Sequence, residues 1–374
     1  MNTLKLNWQN YFRFELLEKR RFLFFVLSFV FVPSFLQILP SDTQPWYFFS
    51  IAFLAFAYLK NPIELKFFFI LVFLFISFLF IRQFIFANEQ STKSISYGFF
   101  LIMLPLMSKD MLLLFRKYFF SIILFHIIFA FLLSGLNDGL YKAVYSARDV
   151  EILGLRSISF SYPEPSYTAK VLTLTALGLY LIEDRQGVKY KYYLIVAISM
   201  FTLSLTGLIL GALAILSLLS FRNQVIAVFV GITIFLLIYY DQILLPGRLV
   251  LIQTAIKSLD INLIFLDASF VSRVESFEVI LDEFRRFSFL GDALTSKAVS
   301  FLSLVYLGWL GMFVIVFSFL NFLLMLIRGK IFLFLVFIFC TYSDTFVYPA
   351  TAIFIMGCFY NNLNFLQKLR HHYD

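Results

Sequence analysis

The chain is short of almost everything a water-exposed surface is built from. Of its 374 residues only 14% are charged, against 61% that are hydrophobic and 20% that are aromatic. Mean hydropathy is +0.90. A soluble globule must keep its surface wet, so this balance excludes that class and selects a polytopic membrane protein. Cysteine is scarce as well. Cys340 and Cys358 both lie inside apolar runs and read as packing residues, not as a structural disulfide. The histidines are His126, His371 and His372, and no Asp-x-Asp, Cys-x-x-Cys or His-x-x-x-His spacing occurs, so no metal site is expected. Without a Walker loop or a Rossmann glycine run, no nucleotide or other cofactor is expected either. The net charge of +8 does not point to nucleic acid, because the basic residues sit at the ends of apolar segments, where they report topology.

What fills the chain is hydrocarbon in lengths that suit a bilayer. A spanning helix needs about 20 mostly apolar residues, because hydrocarbon offers backbone polar groups no partner. That measure gives spans at 22–40, 46–59, 67–86, 95–110, 118–135, 168–182, 192–205, 207–221, 225–240, 301–327, 331–346 and 349–366. The expected fold is therefore an all-α polytopic membrane protein with about 12 transmembrane helices, a single integral domain over residues 1–374. Lys5, Arg13, Lys19, Arg20 and Arg21 precede the apolar run Phe22 to Leu39, after which no small-residue cleavage site follows; this reads as an uncleaved signal anchor. With the N-terminus cytoplasmic, more than half of the 30 Lys and Arg fall on the cytoplasmic side, while turns such as Pro40–Pro45 and Ser343–Tyr348 on the other side carry none. The run from Tyr192 to Phe221 admits one long helix or two spans meeting at Thr206-Gly207. Two spans make both halves of the chain obey the charge rule, and leave both termini cytoplasmic.

This topology leaves two long polar stretches outside, 136–167 and 241–300. They hold Arg148, Arg156, Arg248, Arg273, Arg285 and Arg286, which topology alone does not require. The first ends in Arg156-Ser-Ile-Ser-Phe-Ser-Tyr-Pro-Glu-Pro-Ser-Tyr-Thr-Ala-Lys170, just ahead of an apolar run. Ser161-Tyr-Pro-Glu164 fits a capping box, with Pro163 and Pro165 early in the helix where no backbone donor is lost. Glu164 either only caps that helix, or is a carboxylate fixed at the boundary that takes a proton from a hydroxyl. In the second stretch Ser272 and Glu275 make another capping box, opening an amphipathic helix with Val274, Phe277, Leu281 and Phe284 on one stripe. Arg273 in its first turn and Arg248 after Pro246-Gly247 suit a phosphate, whereas Arg285 and Arg286 fit pairing with nearby carboxylates or lipid head groups. His126, in mid-span, reads as hydrogen-bonded to a neighbouring helix, with a proton relay as the alternative. Arg82, near the outer end of its span, is expected to snorkel.

The spacing of Arg156, Glu164-Pro165-Ser166-Tyr167 and Ala169 resembles the signature of the Wzy-type polymerases, which extend O-antigens, capsules and exopolysaccharides. Leu290-Gly291-Asp292 and Tyr306-Leu-Gly-Trp-Leu-Gly311 look similar to the glycine-marked end of the second outer loop in those polymerases and in O-antigen ligases. The resemblance implies a GT-C-like bundle in a bacterial cytoplasmic membrane that joins oligosaccharide repeat units carried on undecaprenyl diphosphate. In that reaction an acceptor hydroxyl attacks the donor's anomeric carbon and the lipid diphosphate leaves. It implies Arg156 and Glu164 as the catalytic pair, with Ser166 and Tyr167 next to them in the sequence as substrate-binding residues; Arg273, Arg248 and Arg148, on the two outer stretches, are the further substrate-binding residues expected from their position. Membrane lipids and a chain-length regulator protein are the further partners it implies. The chain departs from the family in lacking the histidine that ligases carry where the second loop ends, and in having no Arg-x10-Gly spacing from Arg156 or Arg273, where Tyr167 and Phe284 stand instead. A ligase delivering glycan to lipid A core or protein is one alternative. A polysaccharide flippase or transporter is the other, though that class more often shows inverted repeats and short outer loops.

Overall fold

The computed structural model describes residues 20–32, 35–36, 45–58, parts of 70–85 and 97–105, 107–145, 151–152, 155–156, 165–182, 189–200, 202, 205–239, 249–258, 260, 278–286, 288–292, 300–342 and 349–373. These are almost wholly helical, in keeping with the all-α expectation. The helices are α1 (Arg20–Phe31), α2 (Pro45–Tyr58), α3 (Lys109–Leu136), α4 (Asp138–Tyr145), α5 (Pro165–Leu181), α6 (Lys189–Met200), α7 (Leu205–Leu218), α8 (Phe221–Tyr239), α9 (Leu249–Ser258), α10 (Gly308–Ile327), α11 (Ile331–Tyr342) and α12 (Ala350–Tyr373). A tight 3-10 helix, Phe301–Leu307, leads into α10. A two-residue antiparallel ladder, β1 (Glu151–Ile152) with β2 (Leu155–Arg156), sets Glu151 opposite Arg156.

Local chemistry explains the helix starts. Ser108 accepts the Met111 N–H at 3.2 Å and so caps α3. Pro45 and Pro165 open α2 and α5, where a missing N–H costs nothing. The run from 192 to 221 is broken, with α6 ending at Met200 and α7 beginning at Leu205, which agrees with the split that charge required.

The centre of the molecule is α5, which packs against α12, α6, α7 and α3. From Tyr167 to Ile182 every residue but Tyr180 is buried. Its crossing with α12 is backbone against backbone. A Cβ on Gly178 would stand 2.5 Å from the Ile353 carbonyl oxygen, and one on Gly357 would stand 2.8 Å from Gly178 Cα, so only hydrogen fits at either position. Hydroxyls bridge α5 to α6: Thr173 Oγ1 and Ser199 Oγ lie 2.9 Å apart. At its C-terminal end, Asn361 Nδ2 donates to the Leu181 carbonyl at 2.7 Å, satisfying an acceptor the helix leaves open.

The outside of the bundle is hydrocarbon. On α8, Val225, Phe229, Ile232 and Leu236 are exposed in successive turns, and Phe73 and Phe80 stand out in the same way. Among the described residues two helical stretches, Lys109–Leu136 and Phe301–Ile327, are long and apolar enough to cross a membrane by length and composition. The bundle also sorts its polar ends. Leu181, the turn at Arg328 and Lys330, and Asn361 meet at one end. At the other, α4 folds back so that Leu36 N–H reaches the Val144 carbonyl at 2.8 Å, and Tyr97 Oη donates to the Ser300 carbonyl.

Three features differ from the sequence expectation. The 136–167 stretch contains α4 and the small ladder, both too short to give a hydropathy signal. The described helix at 278–285 buries Ile280 and Glu283 and packs Phe284 against the core while Leu281 is exposed, so of the expected stripe Phe284 turns inward and Leu281 does not; Val274 and Phe277 lie outside the described residues. Gly308 and Gly311, small residues on one helix face that suit close approach of a second helix, meet different neighbours: Gly308 the loop at Phe289–Gly291, and Gly311 the 3-10 helix at Leu304. Gly308 sits at φ +61, where a Cβ would collide with the Phe289 carbonyl, and a Cβ on Gly311 would collide with the carbonyl of Leu304.

Candidate functional site

The stretch that ends in Lys170 runs straight into the buried centre. Pro165 begins α5; Ser166 is half-buried, Tyr167 is buried at its first turn, and Thr168 and Lys170 are fully enclosed. A fully buried ammonium in this position is costly unless partnered, and Lys170 is partnered; it also acts electrostatically on the Cys340 thiol of α11. Sequence reading gave Lys170 no role of its own. Its signal was a lone cation one residue ahead of an uninterrupted apolar run. Upstream, the backbone of Arg156 pairs with that of Glu151, which holds the start of the stretch in a two-residue hairpin arm. The side chains of Arg156, Glu164, Arg148, Arg248 and Arg273 lie outside the described residues. Ser166 and Tyr167 are thus the assigned site residues whose surroundings can be stated.

A second polar assembly lies where the 241–300 stretch returns to the bundle. Arg82 is fully buried instead of reaching for solvent. Its guanidinium donates to the Leu290 carbonyl through Nη1 and to the Asp292 carbonyl through Nη2, the latter at 2.6 Å. The reason is local. Gly291, at φ +78, turns the chain back on itself, so two carbonyls face inward and need a donor. The same turn is clamped to the head of α10. Asp292 N–H donates to the Tyr306 carbonyl at 3.2 Å, Trp309 N–H donates to the Phe289 carbonyl at 3.1 Å, and the Phe289 and Trp309 rings stack at 5.9 Å. The two glycine-marked segments singled out in the sequence are therefore one structural unit.

Glu283 faces this unit from the 278–285 helix. Burial pushes its carboxyl above the usual range and the charge of Asp292 adds to that, while Arg286 and Arg82 pull the other way. A carboxyl whose affinity for its proton is raised in this way, beside arginines, is a candidate for proton exchange or for holding a hydroxyl. Arg285 is paired with Asp282 at 3.2 Å on an exposed face, one of the nearby carboxylates expected for it. His126 is buried with Nδ1 3.0 Å from Tyr145 Oη, so α4 supplies the neighbouring-helix partner expected for it. Both cysteines are free, and among the described residues no group of three His, Cys, Asp or Glu is arranged to hold a metal ion.

No protein family, no curated protein and no solved structure matches the chain.

Proposed function

We propose that the chain is an integral-membrane glycosyltransferase of the Wzy polymerase type, with about 12 spans and its two long polar stretches on the outer face of a bacterial cytoplasmic membrane. The observation that carries this reading is the continuity of the Arg156–Lys170 stretch with α5. Polar chemistry is attached directly to the most enclosed helix of a bundle whose outer surface is apolar. A surface of this kind suits lipid and not water. Such an enzyme needs fixed cations for the departing diphosphate, a base for the acceptor hydroxyl and an apolar groove for the polyprenyl chain. Arg156, Arg148, Arg248 and Arg273 are the proposed cations, Glu164 the base, and Ser166 and Tyr167, at the head of α5, the further substrate contacts. The free energy comes from the diphosphate bond already in the donor.

Reconstitution tests this directly. Purified chain in liposomes is given lipid-linked repeat units extracted from cells lacking the chain. A ladder of lengthened glycans, with lipid diphosphate released and no nucleotide added, is the expected product. A single transfer to a lipid A core would favour the ligase, and movement of intact lipid-linked glycan across the bilayer without a ladder would favour the flippase.

A further inference from the structure

The turn between α10 and α11 gathers two cations around neutral partners. Arg328 and Lys330 flank Gly329, whose φ of +74 makes the bend that a side-chain-bearing residue would strain. Arg328 Nη1 donates to the Asn361 carbonyl at 3.3 Å and to Asn362 Oδ1 at 2.8 Å, and its guanidinium lies 4.2 Å from the Phe365 ring centre. Lys330 Nζ donates to Asn361 Oδ1 at 2.9 Å. The two amides are themselves anchored, Asn361 on the Leu181 carbonyl and Asn362 on the Asn321 carbonyl at 2.9 Å. Both cations are thus held in place by groups that cannot neutralise them.

Elsewhere the chain neutralises such charges itself: Lys142 meets Asp138 at 3.0 Å and Arg285 meets Asp282. Here neither cation has a carboxylate among its described partners, and Arg328 Nη2 and Nε and the other ammonium protons of Lys330 make no hydrogen bond to described residues. Burial and the neighbouring guanidinium hold the Lys330 ammonium down at about 8, a tension that an anion would relieve. Beside the cations, Leu323, Leu324, Ile327 and Ile331 present exposed hydrocarbon. A fixed, half-buried cation pair next to an open apolar shelf matches a molecule with a phosphate at one end and acyl chains at the other.

We infer that the Arg328–Lys330 turn is a binding site for a phosphate group, supplied by the phosphodiester of an anionic lipid. The lipid source rests on the membrane reading above; the phosphate chemistry does not. The test uses the full chain purified and delipidated in neutral detergent, titrated with short-chain phosphatidylglycerol, phosphatidylcholine and inorganic phosphate, with bound lipid read by native mass spectrometry and melting temperature. Phosphatidylglycerol should bind and raise the melting temperature, and phosphatidylcholine should do neither. Lys330→Gln keeps a hydrogen bond to Asn361 but loses the charge, and should weaken phosphatidylglycerol binding about five-fold or more; Lys330→Glu should abolish it. Inorganic phosphate binding as tightly as the lipid would keep the phosphate site and overturn its lipid source. Equal phosphatidylglycerol binding by wild type and both variants would overturn the site. Membrane residence is read separately: loss of the chain from membranes on alkaline carbonate washing would sink the membrane reading, and the inorganic phosphate arm would still report on the site.

Discussion

Gly178 is the position at which the smallest change has the largest predicted effect. An added methyl would stand 2.5 Å from the Ile353 carbonyl oxygen, 2.7 Å from its carbon and 2.8 Å from Phe354 Cα. Ordinary contact needs roughly an ångström more, and every atom met is backbone, so α12 must move away from α5. Overpacking of this kind costs about 1–3 kcal/mol, less about 1 kcal/mol that alanine returns in helix propensity. Gly231, on exposed α8, has nothing within 4 Å of its would-be Cβ. There the same substitution keeps only the propensity gain. Gly178→Ala should therefore lower the temperature at which the detergent-solubilised chain loses its monodisperse peak, and Gly231→Ala should leave it unchanged or raise it. Equal melting of the two variants would refute the close α5–α12 crossing.

Arg82→Met removes the donor for two inward-facing carbonyls, and should destabilise the chain by about 3 kcal/mol while exposing the 278–292 segment to protease; an unchanged melt and digest would count against the buried arrangement. Lys330 predicts a pH effect. Burial first, and Arg328 second, lower its folded-state value from 10.5 to about 8, with Cys358 pulling weakly upward. Below about pH 8 the amine is protonated in folded and unfolded chains alike and the penalty of enclosing its charge is fully present. Between about 8 and 10.5 the unfolded chain binds the extra proton, so stability rises with pH. Melting curves without phosphate or anionic lipid should show this rise in wild type and a flatter profile in Lys330→Gln; parallel profiles would remove the assignment.

Hydropathy made the helices legible because each long apolar run has one way to satisfy its backbone. Charge placement made the break between α6 and α7 legible, since only two segments kept the basic residues on one side. Arg82 was not legible. Its carbonyl partners lie 208 and 210 residues further on, and an isolated arginine in an apolar run carries no sign of them. The role of Gly308 was hidden for the same reason: small residues announce close approach without naming what approaches. At the candidate site, the prolines and the apolar run beyond them announced where α5 begins, and Ser166 and Tyr167 sit at its head as that start requires. The enclosure of Lys170 follows from α5 being central, which only the packing of α12, α6 and α7 around it reveals.

The most direct test of the proposed chemistry is Glu164→Gln. The variant keeps the shape and much of the hydrogen bonding of the side chain but cannot take a proton. Loss of a general base costs about 10²–10⁴-fold in rate, whereas loss of a helix cap costs only ~1 kcal/mol of stability. Glycan ladder length and the amount of protein in the membrane should be measured together in the same cells. Single lipid-linked repeat units with normal protein levels are expected; a full ladder from Glu164→Gln would remove Glu164 as the base.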